Sequence, residues 1–179
     1  LKRRRSSSNF ASTAFSAQTL ADLVWAGLGV NNAATDERTS PLIAAVHDID
    51  IYVALATGAY RYRPGAGATH TLEQVTATDL RGTIFTNCSV PAIFIYVADY
   101  TKLSGTNAQK QRQACLHAGH ISQNVAAYAA AEGLGELVRS SVTSVATALG
   151  LASTQSILFT QTLGHLSSTP GKSKVTFGA

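Results

Sequence analysis

Val90-Pro91-Ala92-Ile93-Phe94-Ile95-Tyr96-Val97-Ala98 is the passage on which the reading of the fold turns. From Ala92 to Ala98 it is an unbroken apolar run, as expected of a strand buried on both faces. It is the longest strongly apolar stretch in the chain and is far too short to span a bilayer. Downstream, Thr106 to Glu132 is the longest helical pattern. Ala114, Ala118, Ile121, Val125, Tyr128 and Ala129 mark its buried stripe, and Gly133 supplies its C-terminal cap. Its alanines and Gly119 allow a second helix to approach closely. Ser141 to Leu149 reads as a further amphipathic helix and Ile157 to Leu163 as a closing strand.

Upstream of the apolar run, Ile49 to Leu55 and Ala59 to Arg63 read as strands joined by a turn at Thr57-Gly58. Gly-rich Pro64 to Thr69 leads to a third short strand, Thr71 to Val75, and a brief helix capped by Thr78 follows over Ala77 to Phe85. Ser16 caps a helix running to about Gly29, with Leu20, Leu23, Val24 and Leu28 on one face and Trp25 beside them. Asn31 to Pro41 is polar and loop-like. No repeat appears. Strands and helices mix without a regular βαβ alternation, so an α+β fold is expected over a doubly wound sheet.

A length of 179 residues fits one domain, 1–179, with a single core. Charged residues make up only 13% of the chain, which leaves much surface neutral or covered by another subunit. The net charge of +4 sits at the ends. Lys2, Arg3, Arg4 and Arg5 open the chain and Lys172 and Lys174 stand near its close, while Ser6 to Gly171 holds eight basic and ten acidic residues. Terminal basicity of this kind suits a localised anion site better than a nucleic-acid face. Cys88 and Cys115 have no CxxC or Cys/His spacing, which argues against a disulfide framework or a zinc site. The expected compartment is the cytoplasm. The chain starts at Leu1 and contains no Met, so export after removal of a leader stays open.

Several stretches, in order, resemble the FMN-dependent nitroreductase family, in particular its compact bacterial members. Arg4-Arg5-Ser6-Ser7-Ser8-Asn9-Phe10 is similar to the family's RRSxRxF start, and Leu20-Ala21-Asp22-Leu23-Val24-Trp25-Ala26 to its L-x-x-L-L-W-A helix. Arg38-Thr39-Ser40-Pro41 and Asp48-Ile49-Asp50-Ile51-Tyr52-Val53 stand where members carry RT(A/S)PSAxNxQ(E/D)IDVYV. Ala118 to Val125 and Ala131-Glu132-Gly133-Leu134-Gly135 match the central helix and its exit, and Ile157 to His165 the closing strand. The resemblance implies a nitroreductase-like sandwich, a mainly antiparallel sheet flanked by helices, in an intertwined homodimer. It implies FMN at the subunit interface and a ping-pong transfer from NAD(P)H through flavin to a nitroaromatic, quinone or similar small-molecule acceptor. A non-catalytic or weakly flavin-binding member, storing or sensing flavin, is the alternative. Neither nucleic acid nor a membrane span is expected.

The resemblance also assigns residues. Arg4, Ser6 and Ser8 alternate on one side of an extended segment, and the matching Arg and Ser of the family hold the FMN phosphate and ribityl chain. The third position, often basic in the family, is Ser8 here, with Arg5 (or Arg3) available to compensate. By charge pattern alone the Arg run favours a solvated tail or an RNA- or lipid-binding segment. Lys172 and Lys174 resemble the late basic pair that reaches the same phosphate, or are a solvated tail. Arg139 and Ser140 fall where members pass backbone N–H groups along the isoalloxazine ring, and Ser140 or Ser141 is equally placed to cap the next helix. After Pro41 the pattern departs. The family's Ser, Asn and Gln become Leu42, Ala45 and His47, so hydrogen bonds to flavin from the neighbouring subunit are lost. Pro41, Ile43 and Ala45 remain as positions that pack beneath the ring. His117 and His120 share a helix face with no nearby carboxylate or third ligand, and read as partly buried polar residues lining the helix rather than a metal site. Asp48 and Asp50 read as a solvated strand edge, His47 and His165 as pocket candidates by position.

Overall fold

The computed structural model describes residues 4–65, 69–86 and 90–167. Its centre is one six-stranded sheet in the order Thr71–Thr76, Gly58–Arg63, Ile49–Leu55, Ala92–Asp99, Gln155–His165 and Leu134–Arg139, every neighbouring pair antiparallel. The strands are β3 (Ile49–Leu55), β4 (Gly58–Arg63), β5 (Thr71–Thr76), β6 (Ala92–Asp99), β7 (Leu134–Arg139) and β8 (Gln155–His165). β6 lies between β3 and β8, and Ala92 to Ala98 is buried throughout. Alternation splits it. Ala92, Phe94, Tyr96 and Ala98 face a layer made by α1 (Ala17–Leu28) and α3 (Asn107–Ala131). Ile93, Ile95 and Val97 face the opposite layer, where Leu80, Ile84, Val145 and Leu149 cover them. The apolar run is therefore continuous because both faces of the sheet are covered.

Ser16 accepts the Thr19 N–H to cap α1, and Thr106 and Gln109 form a reciprocal capping box at the start of α3. Of the six residues in the expected stripe of α3, five are buried and Tyr128 is half-buried. The close approach of the two helices is at Gly27, not Gly119. A Cβ on Gly27 would meet Val125 Cγ2 at 2.8 Å, whereas one on Gly119 would meet nothing within 4 Å. Gly133, with φ +72, turns the chain out of α3 and directly into β7. The pattern from Ala131 to Gly135 marks the helix end but carries no strand signal for β7.

Three other expectations change. Ser141 to Leu149 is a run of turns rather than a helix, with mixed bonds from Ala146 N to Thr143 O, Leu149 N to Val145 O and Leu151 N to Ala146 O. Its Ser, Thr and Val residues compete with or crowd the helical backbone, while Val145 and Leu149 still reach the core. The short helix α2 spans only Arg81–Ile84. Asp79, rather than Thr78, accepts the first N–H, that of Arg81. The Asn31 to Pro41 segment contains a small hairpin, β1 (Val30–Asn32) with β2 (Glu37–Arg38). No helix among the described residues is long and apolar enough to cross a membrane.

Candidate functional site

The N-terminal strap runs along the free edge of β7. Ser6 pairs in parallel with Glu136, Ser7 N–H donates to Glu136 O at 2.8 Å, and Phe10 bridges to Leu166 beside the end of β8. This places Arg4 against the Glu136 side chain, its Nη1 donating to Oε1 at 3.0 Å. Glu136 is only 2% exposed, so its second oxygen needs a partner too. Gln161 Nε2 donates to Oε2 at 3.2 Å and also to Ser122 O, and its Oε1 accepts the Tyr96 hydroxyl at 2.5 Å. Two acceptors around Nε2 fix the amide orientation, and Tyr96 must then be the donor. Complete burial, with the Glu136 charge adding to it, holds the Tyr96 phenol well above its usual range, so that proton stays in place. Arg4, about a third exposed, thus stands on a rigid polar column rooted in the sheet.

At the far end of the same strand, Arg139 lies over the Phe85 ring, 4.5 Å from its centroid, with Nε buried and unpartnered among the described residues. Ser6, Ser8 and Ser140 are exposed. Lys172 and Lys174 lie outside the described residues.

Pro41, Ile43 and Ala45 belong to a different anchorage. Residues 39 to 43 are fastened to one face of α3 by a ladder of side-chain bonds in antiparallel order. Asn124 Nδ2 donates to Thr39 O at 2.9 Å and to Ser40 Oγ at 3.0 Å, and His120 Nδ1 donates to Pro41 O at 3.1 Å. His117 Nε2 accepts the Ile43 N–H at 2.8 Å. Beyond it, a 3₁₀ turn over Ile43–Ala45 carries two successive alanines at φ +52 and +53. That backbone costs an L residue about 1–2 kcal/mol at each position. Pro41 and Ile43 to Ala45 are all exposed.

His117 itself is fully buried, with Nδ1 2.5 Å from Asp48 Oδ1. Two expectations are corrected here. Asp48 is not on a solvated edge but 0% exposed, and His117 does have a nearby carboxylate, contributed by a residue 69 positions earlier. Only strand pairing of β3 beneath α3 brings them together, so helix-face reasoning about positions 117 and 120 misses the pair. Asp50, the other half of that supposed edge, is tied by both oxygens to Arg61 Nη2 at 2.9 and 2.8 Å. His47 meets Arg38 Nη2 at 3.1 Å, and partial burial, followed by that guanidinium, holds its imidazole below the usual value. No group of three or more potential metal ligands occurs among the described residues. A cleft of about 530 Å³ bounded by Tyr100, Lys110 and Thr154 includes none of these candidate positions.

The sequence model of the nitroreductase family matches residues 1–165. The chain belongs to the nitroreductase family. Its fold is similar to that of a protein from Ralstonia eutropha JMP134 taken to be a nitroreductase, with 30% identity and a TM-score of 0.84, covering 93% of this chain and 80% of that one. It also resembles a chain of the E. coli McbBCD microcin synthetase complex (20% identity, TM-score 0.79, 93% and 70% covered). A third likeness is to the NADPH:FMN oxidoreductase of Vibrio harveyi in complex with NAD+ (16% identity, TM-score 0.67, 99% and 71% covered). Comparison with curated proteins finds no match. As a nitroreductase-family chain it is read as an oxidoreductase of the flavin type. Within it the strap and Arg139 share one strand, whereas the 41–45 turn hangs from α3.

Proposed function

We propose that this protein is an FMN-dependent oxidoreductase, passing hydride from NAD(P)H through flavin to a nitroaromatic, quinone or similar acceptor as a homodimer. The flavin, when bound, supplies the two-electron chemistry, and the protein supplies binding and electrostatics. The observation that carries the reading is the alignment of the strap and Arg139 along β7 in a nitroreductase-family fold. Arg4 is held through one Nη1 and keeps its remaining N–H donors for a phosphate, with the Ser6 and Ser8 hydroxyls exposed beside it. Arg5 and the terminal Lys172 and Lys174 add positive charge. Arg139, stacked on Phe85 at the end of β7, sets a positive charge beside the ring, and Ser140 follows it. Pro41, Ile43 and Ala45 contact the ring across the dimer. Sparse charge and the exposed Ile43, Leu116, Trp25 and Val138 support such a subunit contact.

A second reading, a weakly flavin-binding and non-catalytic member, rests on Ala45 and His47, which lack the side-chain amides of the family's Asn and Gln. Purification with a visible spectrum decides between them. A yellow preparation with bound-flavin absorption, together with NAD(P)H consumption in the presence of a quinone, meets the first reading. No turnover after FMN addition sinks it.

A further inference from the structure

We infer that His117 is a positioning residue. Locked in one tautomer by Asp48, it holds the strained 43–45 turn in the shape that receives flavin. The inference rests on the flavin reading for what the turn is for, but its geometry stands alone. Leu42 and Val46 pack against the core on either side of the turn, but the turn residues themselves are held weakly. Its own backbone bonds, Ala45 N–H to Leu42 O at 3.3 Å and Val46 N–H to Ile43 O at 3.2 Å, are long, and its residues are exposed. Successive left-handed alanines relax unless neighbouring structure over-determines them. The ladder from α3 does so at three points, and the innermost is the shortest of its backbone contacts, Ile43 N–H to His117 Nε2 at 2.8 Å.

That bond imposes a condition on the imidazole. Nε2 must be bare to accept, so the ring proton must sit on Nδ1. Asp48 Oδ1, 2.5 Å from Nδ1 and fully buried, accepts that proton and fixes the tautomer. The buried pair thus acts on an exposed segment rather than on the core. A neighbouring fact agrees: Asp48 Oδ2 has no partner among the described residues, so the carboxylate is committed to this one contact. His117, fully buried, is out of reach of any substrate. It works only through the turn.

The test compares His117→Asn and His117→Gln with the wild-type chain. Asparagine retains a donor for Asp48 but falls short of Ile43, whereas glutamine extends an acceptor toward it. Three quantities are read: Ile43 amide exchange in flavin-free protein, FMN affinity from flavin fluorescence quenching, and the thermal midpoint. The asparagine variant is expected to speed Ile43 exchange and weaken FMN binding about tenfold each, the worth of one hydrogen bond. Glutamine should restore both to within about threefold of wild type. Unchanged Ile43 exchange in the asparagine variant overturns the inference, as does faster exchange with unaltered FMN affinity. If that variant does not fold, imidazole nitrogen shifts of the wild-type protein still decide. A protonated Nε2 on His117 overturns the inference, and a bare Nε2 with protonated Nδ1 upholds it. Wild-type protein that takes up no FMN overturns the flavin reading instead, while Ile43 exchange still reports whether the anchor exists.

Discussion

Asp48 and Glu136 are both buried acids that tie a peripheral segment to the sheet, and they do so in opposite ways. Glu136 has both oxygens bonded, one to a guanidinium that is about a third exposed and one to an amide. Asp48 has one oxygen bonded, to an imidazole with no exposure at all, and one without a partner among the described residues. Deleting Glu136 releases a cation into water and leaves Gln161 Nε2 with its second acceptor, Ser122 O. Deleting Asp48 leaves an N–H donor in the dry interior. What decides the cost of a buried charge is therefore where its partner goes when the charge is removed.

The largest expected effect follows from this. Asp48→Ala should lower the unfolding free energy by about 3 kcal/mol, from the stranded His117 donor and the lost buried pair. Glu136→Ala should cost about 1–2 kcal/mol, because hydrated Arg4 needs no replacement partner. Urea unfolding of the two variants measures the gap, and equal losses would break the comparison. Next in size is Arg4→Ala. Stability should fall by about 2 kcal/mol, since the change leaves the buried Glu136 carboxylate with Gln161 as its remaining side-chain partner. FMN affinity should fall at least about tenfold, as expected for a lost charged hydrogen bond to phosphate. Retained affinity in that variant would remove the strap from the cofactor site.

These two anchors also mark where sequence reasoning reaches and where it stops. The apolar β6, the capped α1 and the stripe of α3 were legible because burial writes a period into neighbouring residues. β7 was not, because Leu-Gly-Glu-Leu-Val-Arg has a glycine and a buried acid where a strand pattern expects apolar residues. Glu136 sits there because its partners Arg4 and Gln161 arrive from 132 positions upstream and 25 downstream. Asp48 and His117 read in sequence as a solvated edge and a helix-lining residue. Pairing across sequence carries no local period. The terminal Arg run shows the converse: its residues were singled out through the family's motif, and their seat on β7 became visible only with the sheet assembled.

Glu136→Gln sharpens the contrast because its two expected effects have opposite signs. A neutral amide has one acceptor oxygen and cannot accept from both Arg4 Nη1 and Gln161 Nε2, so stability should fall by about 1 kcal/mol. The same change removes the negative charge 3.0 Å from Arg4. The guanidinium then attracts a phosphate without competition, and FMN should bind about threefold more tightly at low salt, with the gain fading as salt screens it. Parallel losses of stability and affinity would show that Glu136 orients Arg4 more than it opposes the ligand.

The smallest expected effect concerns His47, which lies one residue before Asp48 and whose carbonyl accepts from Lys102 Nζ at 2.9 Å. Burial, and after it the Arg38 charge, hold its folded-state pKa below the usual value, outweighing Asp36 at 3.4 Å. Above about pH 6.5 the imidazole is neutral in both folded and unfolded chains, so it contributes no pH dependence there. As pH falls below that value the unfolded chain takes up the proton first, and stability declines until the folded protein is protonated as well. The group is partly exposed, so the decline should be a few tenths of a kcal/mol after screening. Urea midpoints of wild type and His47→Gln between about pH 7.5 and 5 isolate it from the other histidines, because only the difference between the two curves belongs to this ring. A difference that grows in favour of wild type on acidification would mean that Asp36, not Arg38 and burial, governs the site. The turn after Pro41 would then be flanked by a cation at low pH rather than by a neutral ring.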